Sequence, residues 1–185
     1  MTTFSRRGFI TTAVAPLALA ACGNGINSKG ASTIDARVDS ALDFLYSDVE
    51  GAQRLGDTSA GVLVMPLITE AGFGFGAGYG RGALRVGGAT VDYYSAANAS
   101  FGLQIGAQQY AHALFFMTEE ALNNFRAGPG WAAGADLEYA LSGQGDSVSA
   151  DTTSALDPVI AVIFGQAGLI AGASLEGTKY TRIIP

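Results

Sequence analysis

The chain has 185 residues, a formal charge of −6, one histidine and one cysteine. Sixteen acidic residues face ten basic ones, and Lys29 and Lys179 are the only lysines. A surface this acidic does not suit nucleic acid or anionic lipid headgroups, both of which ask for clustered Lys and Arg, and a single cysteine excludes an internal disulfide.

The amino terminus has the layout of an export signal, with a charged start, a short apolar stretch and small residues before a cut site. Ser5-Arg6-Arg7-Gly8-Phe9-Ile10 matches the twin-arginine pattern, so Arg6 and Arg7 are the export signal. Leu19-Ala20-Ala21-Cys22 reads as a lipobox whose cysteine receives the lipid. The apolar stretch from Gly8 to Ala21 is too short to span a bilayer and contains Thr11, Thr12 and Pro16. The expected organisation is a signal peptide over 1–21, a lipidated tether over 22–31 and one domain over 32–185. Acyl chains contribute about 0.8 kcal/mol per buried methylene, so several chains on Cys22 would hold the protein firmly to membrane lipid. Gly23, rather than aspartate, follows the cysteine. The expected location is therefore the periplasmic side of the envelope, on the outer membrane where there are two.

Ser32-Thr33-Ile34-Asp35 has the form of a capping box. From there Ile34, Val38, Ala41, Leu42, Leu45, Val49, Ala52 and Leu55 recur at helical spacing, which predicts a helix over 34–55 ended by Gly56. The stripe reads first as core packing. The sharper alternative is that Val38, Leu42, Leu45 and Val49 meet lipid, because nine flexible tether residues reach only about 15–18 Å.

The period then becomes two. Residues 61–69 form an apolar strand in which Pro66 marks an edge or bulge. Glycine fills every even position from 72 to 82, so one strand face carries Phe73, Phe75, Ala77, Tyr79 and Arg81 and the other is bare backbone. A bare face admits a close neighbour, such as a helix, a second sheet or a lipid chain. Further strands are expected over 83–87, 89–96, 98–108 and 110–117, the last buried on both faces. Thr118 caps a short acidic helix to Phe125. Strands near 131–141, 158–165 and 168–177 follow, the last two joined at Gly165-Gln166-Ala167-Gly168. Residues 142–157 read as an exposed polar loop. The fold class is α+β: a largely antiparallel, glycine-rich, twisted or barrel-like sheet with one long N-terminal helix and one short helix.

Catalytic chemistry finds little footing. There is no nucleophile elbow, and His112 sits in an apolar alternating strand where a core or rim role is the ordinary one. Zinc-type sites need several His or Cys ligands, and Asp146, Asp151 and Asp157 lack calcium-loop spacing. The glycines at 72–82 keep an even period and do not match a dinucleotide fingerprint. No metal, cofactor or catalytic residue is assigned. Arg81 and Arg85 are the candidates for an anionic headgroup, with Tyr79 beside them.

Ala71-Gly-Phe-Gly-Phe-Gly-Ala-Gly-Tyr-Gly-Arg-Gly82, Phe101-Gly-Leu-Gln-Ile-Gly-Ala-Gln108, Leu114-Phe-Phe-Met117, Gly134-Ala-Asp136 and Gly168-Leu-Ile-Ala-Gly-Ala-Ser-Leu-Glu-Gly177 together resemble the SYLF domain family, in that family's order. The resemblance implies a domain that works beside a membrane. Eukaryotic relatives bind phosphoinositide membranes and some bundle actin, whereas bacterial relatives are commonly lipoproteins. The basic clusters used for actin are missing here, which argues against actin as a partner. The expected function is a non-enzymatic, lipid-binding envelope lipoprotein with phospholipid as ligand; the alternative is an envelope scaffold for another protein.

Overall fold

The computed structural model describes residues 28–128, 130–133, 138–141, 157–167, 175 and 177–185. The signal segment, Arg6, Arg7, Cys22, most of the loop over 142–157 and most of 168–177 lie outside the described residues. Helices α1 (Gly30–Asp48) and α2 (Ala52–Thr58) come first. Strands β1 (Gly61–Val86) and β2 (Ala89–Phe116) follow, then helix α3 (Glu119–Ala127). Strands β3 (Trp131–Ala132), β4 (Glu138–Leu141), β5 (Val159–Ala167) and β6 (Lys179–Ile183) complete the six-stranded sheet. The order is β3-β6-β2-β5-β4, with β1 paired to β2. Every pairing is antiparallel except β4 with β5. The fold is thus the expected α+β class, with a curled sheet.

One long hairpin organises the sheet. Val86 pairs with Ala89 across Gly87 and Gly88, whose φ values of 57° and 82° are those of a two-residue primed turn. A straight 26-residue strand would run about 85 Å, far beyond a domain of this size, so the ribbon must curl. It does so at register shifts between Met65 and Ile68 and between Phe73 and Phe75. The fragments expected over 61–87 are therefore one strand, and those over 89–117 another. Bulges bend the ladder without ending it. Pro66 sits in the first bulge, on a strand whose only partner among the described residues is β2. β2 pairs with β6 through Tyr93–Ala97 and with β5 through Gln109–Phe116, so its two halves belong to different parts of the curl.

The glycines permit that curl. A Cβ on Gly80 would strike the carbonyl oxygen of Leu67 and lie 2.5 Å from Ile68 Cδ1. One on Gly82 would strike the carbonyl oxygen of Val64 and lie 2.6 Å from Met65 Sδ. At these two positions the bare face is covered by the first half of the same strand, not by a helix or a lipid chain.

Two cores result, one on each face. Leu63, Met65, Leu114, Phe116, Ala161 and Ile163 point to the inner, concave side. Val62, Val64, Ala113, Phe115, Ile160 and Val162 meet Ile34, Val38, Leu45 and Val49 of α1. Adjacent strand residues alternate between these sets, as the pleat requires, and residues 110–116 are buried on both faces. Helix α3 closes the inner side with Phe125, whose ring centroid lies 4.8 Å from those of Tyr94 and Phe116 and 5.5 Å from that of Trp131. The Thr118 side chain accepts from Ala121 N at 3.1 Å, with Glu119 and Glu120 in the first turn, as the sequence predicts. Thr118→Ala should lower stability by about 1 kcal/mol in urea unfolding; an unchanged midpoint would show that the cap contributes nothing.

Several boundaries differ from expectation. α1 starts at Gly30, and Ser32 and Thr33 donate to the Lys29 carbonyl instead of capping. The helical stretch breaks at Val49–Gly51. Gly56 lies inside α2, where Tyr46 covers it. β5 runs through Gly165 to Ala167, so no hairpin turn falls at Gly165. The strand near 131–141 is two short pieces, and β6 is an addition to the expected set.

Candidate functional site: a groove beside the first helix

The sharper lipid reading of α1 does not fit its packing. Val38 and Leu45 are fully buried and Val49 is 3 % exposed, all against the sheet, with Leu42 partly buried on the same core. These side chains hold α1 to the protein and are not free to meet lipid. Arg85 is also occupied. Its Nη2 lies 2.5 Å from Asp39 Oδ1 and 3.6 Å from Asp35 Oδ1. Thr90 Oγ1 and Tyr93 Oη donate to Asp35, each at 2.8 Å. Burial and the Asp35 carboxylate push the Tyr93 hydroxyl up to about 12. This cluster ties the hairpin tip to the first turns of α1, which takes Arg85 out of consideration for a headgroup. Arg81 is partly buried and engaged within the protein. Tyr79 is 56 % exposed, away from that cluster.

A different flank of α1 is open. Between it and the sheet runs a groove of about 1070 Å³. Ala36, Ser40, Ala41 and Phe44 form part of the helix wall; Pro66, Leu67, Ala111, Phe164 and Gly165 form the floor. Two bulges position this floor. On β1 the register steps from Met65–His112 to Ile68–Tyr110, so Pro66 and Leu67 stand opposite Ala111. On β5 it steps from Phe164–Ala111 to Ala167–Gln109, with Gly165 at a φ of 65°. Both strands flanking β2 therefore bulge at the same level, which opens a trough under α1; bulges commonly re-aim side chains beside functional sites. Phe44 stacks on Phe164 with ring centroids 6.3 Å apart. Phe44 and Leu67 are 44 % and 39 % exposed, and both lie in this one groove. Large apolar side chains gathered in one exposed concavity mark a binding surface.

The single histidine lies elsewhere. His112 points to the inner face, next to Ala111 on the groove face, and is completely buried. Its Nε2 is 2.8 Å from Tyr180 Oη, while Nδ1 has no partner among the described residues. Burial lowers its pKa to about 3, so the ring is neutral. It cannot serve a ligand in the groove from the opposite side of β2. Tyr110, whose hydroxyl is pushed up to about 12 by burial and then by Glu70, accepts from Asn98 at 3.3 Å on the same inner side. Among the described residues no group of three or more His, Cys, Asp or Glu could hold a metal ion, and no helix is long and apolar enough to cross a membrane.

The groove contains features the sequence did not single out: Phe44, Leu67, Ala111 and Phe164. The readable signals were Pro66 and Gly165, breakers inside apolar strands.

Fold and site together define a small α+β binding domain, with a curled sheet and an open apolar groove. A family model described as Ysc84, a Las17-binding protein actin regulator, matches residues 97–182. The match supports a place for that region in the Ysc84, or SYLF, family, a family of binding domains. It supplies Ala111, Phe164 and Gly165 of the floor; α1, Pro66 and Leu67 precede it. No curated protein matches the chain.

Proposed function

We propose that the protein is a membrane-anchored envelope lipoprotein whose domain binds lipid and catalyses no reaction. The observation that carries this reading is the groove, an exposed apolar trough built by paired bulges and flanked by the helix that the N-terminal segment enters. The lipobox at Leu19–Cys22 and the arginines at 6 and 7 support export and acylation, with residues 1–21 removed and 22–31 as the tether. The family of residues 97–182 supports a binding role. A domain held by a short tether meets lipid at high local concentration, so a weak apolar site is sufficient. Phospholipid is the proposed ligand, and the periplasmic face of the outer membrane the proposed location.

The test expresses the full chain in a bacterium with a twin-arginine system. The wild type should fractionate with membranes and carry an acyl mass on Cys22, and Cys22→Ser should release it to the soluble fraction. The purified Cys22→Ser chain should bring phospholipid with it on mass spectrometry and float with liposomes. Absence of the acyl mass would overturn the anchor. Absence of both lipid readouts, on neutral and anionic vesicles, would overturn lipid binding.

A further inference from the structure

We infer that the groove beside α1 takes one acyl chain of an anionic phospholipid, with Arg37 on the phosphate. This rests on the lipid-binding reading above and assigns the ligand class, its orientation and the residue that selects its charge.

The shape comes first. The helix wall runs from Ser32 to Phe44. At 1.5 Å per residue this is about 18 Å, a trough suited to an extended chain rather than a compact ligand. The wall is apolar in practice although it contains hydroxyls. Ser32 and Thr33 donate to the Lys29 carbonyl, at 3.1 and 2.8 Å, and Ser40 donates to the Ala36 carbonyl at 3.0 Å. Their donors are spent on the helix itself, so they ask nothing of a ligand. Small side chains at 36, 40 and 41 leave the trough open, and Phe44 with Phe164 forms an aromatic end.

Charge fixes the head. Among the described residues Arg37 is the one charged side chain lining the groove, and no acid among them lines it. The chain as a whole carries excess acid; Arg85 is committed to Asp35 and Asp39, and Arg126 and Arg182 to Asp92, while Arg54 does not line the groove. Arg37 is exposed and has no ion-pair partner among the described residues. Its neighbours Asp35 and Asp39 face the hairpin tip. A guanidinium presents paired N–H groups that match a phosphate, and here it stands on the rim of an apolar trough. An amphiphile with an anionic head satisfies both features; a neutral one leaves Arg37 without a partner, and a polar solute leaves the trough unfilled.

The experiment uses the full chain carrying Cys22→Ser, so that the anchor does not contribute. Binding is measured by flotation with vesicles of phosphatidylcholine alone and with phosphatidylglycerol added. Arg37→Gln should weaken binding to the anionic vesicles about tenfold and leave the weaker binding to neutral ones unchanged, and Arg37→Lys should restore part of the loss. Ser40→Trp, at an exposed position, should fill the trough, abolish binding to both vesicle types and remove co-purified phospholipid. Near-ultraviolet circular dichroism checks that each variant keeps its packing. If the unsubstituted groove binds neither vesicle, the lipid-binding function itself fails. If it binds and both Arg37→Gln and Ser40→Trp bind equally well, the lipid lies elsewhere and only this assignment is overturned.

Discussion

Gly82→Ala should destabilise the domain by about 3 kcal/mol, seen as a large drop in the urea midpoint. A single methyl group usually does far less on a strand. Here the Cβ would strike the carbonyl oxygen of Val64 and lie 2.9 Å from the Val64 carbonyl carbon, so the obstacle is backbone. A flexible side chain could swing aside, but the Val64 backbone cannot, because Val64 is paired to Ala113 and fully buried under α1. Relief requires the two halves of β1 to separate, which opens the inner core at Met65 and Leu84. Gly80→Ala should behave in the same way through Leu67. Gly87→Asn is the control. Its φ is 57°, a value asparagine tolerates, and nothing lies within 4 Å of the added Cβ. It should change stability by no more than about 0.5 kcal/mol. Equal losses at 82 and 87 would show that the coil of β1 on itself is not what the glycines serve.

This contrast explains how much of the fold the sequence disclosed. Helix α3 was readable in full because its signals are local: a Thr cap, two acids and an apolar pair at Leu122 and Phe125. The stripe on α1 was also readable as core, since Ile34, Val38, Leu45 and Val49 keep helical spacing and are buried. Its start was not, because the hydroxyls at 32 and 33 bond equally well to a carbonyl within the helix as to an amide at its end. The long strands were cut into pieces for a related reason. Pro66 and the glycine run look locally like chain breaks, yet a bulge satisfies the same local demands while pairing continues on either side. Gly165 likewise reads as a turn and serves as a bulge with positive φ. The strand β6 carries one fully buried side chain, Tyr180, and so lacks a pattern.

The groove was the least legible feature. Its helix wall, from Ser32 to Phe44, mixes hydroxyls, alanines and Arg37 and has no strong apolar period, and its floor joins three strands distant in sequence. It arises only from two bulges that coincide across β2. The apolar stripe drew attention to the face of α1 that holds the domain together, whereas the open surface lies on the adjacent flank, about 100° around the helix from Leu45 to Phe44. Similarly, Arg85 looked available because the sequence does not show that Asp35 and Asp39 reach it across the fold.

His112 sets a second large expected effect: the domain should lose stability steadily as the pH falls below 6.5. In the folded chain burial holds the imidazole pKa near 3, against 6.5 when unfolded. Between these values the unfolded chain takes up a proton that the folded chain refuses. The unfolded state therefore binds more protons, and stability falls as pH falls through that window. At 1.36 kcal/mol per unit, the loss is about 2 kcal/mol by pH 5. The chain has no other histidine, and histidine is the side chain whose unperturbed pKa falls in this range, so the slope between pH 7 and 5 belongs chiefly to this residue. Urea unfolding at pH 7.0, 6.0 and 5.0 measures it, and His112→Gln should flatten the slope whatever it does to stability at pH 7. Glutamine retains a polar group for the Tyr180 hydroxyl, so a cavity or an orphaned phenol does not confound the comparison. The imidazole resonances of the folded protein should also stay at neutral positions down to about pH 4. A His112→Gln chain that keeps the full slope would assign the proton uptake to another group. A titration midpoint near 6.5 in the folded protein would mean that the inner face of β2 is open to water, contrary to the packing of His112 against Tyr110 and Tyr180.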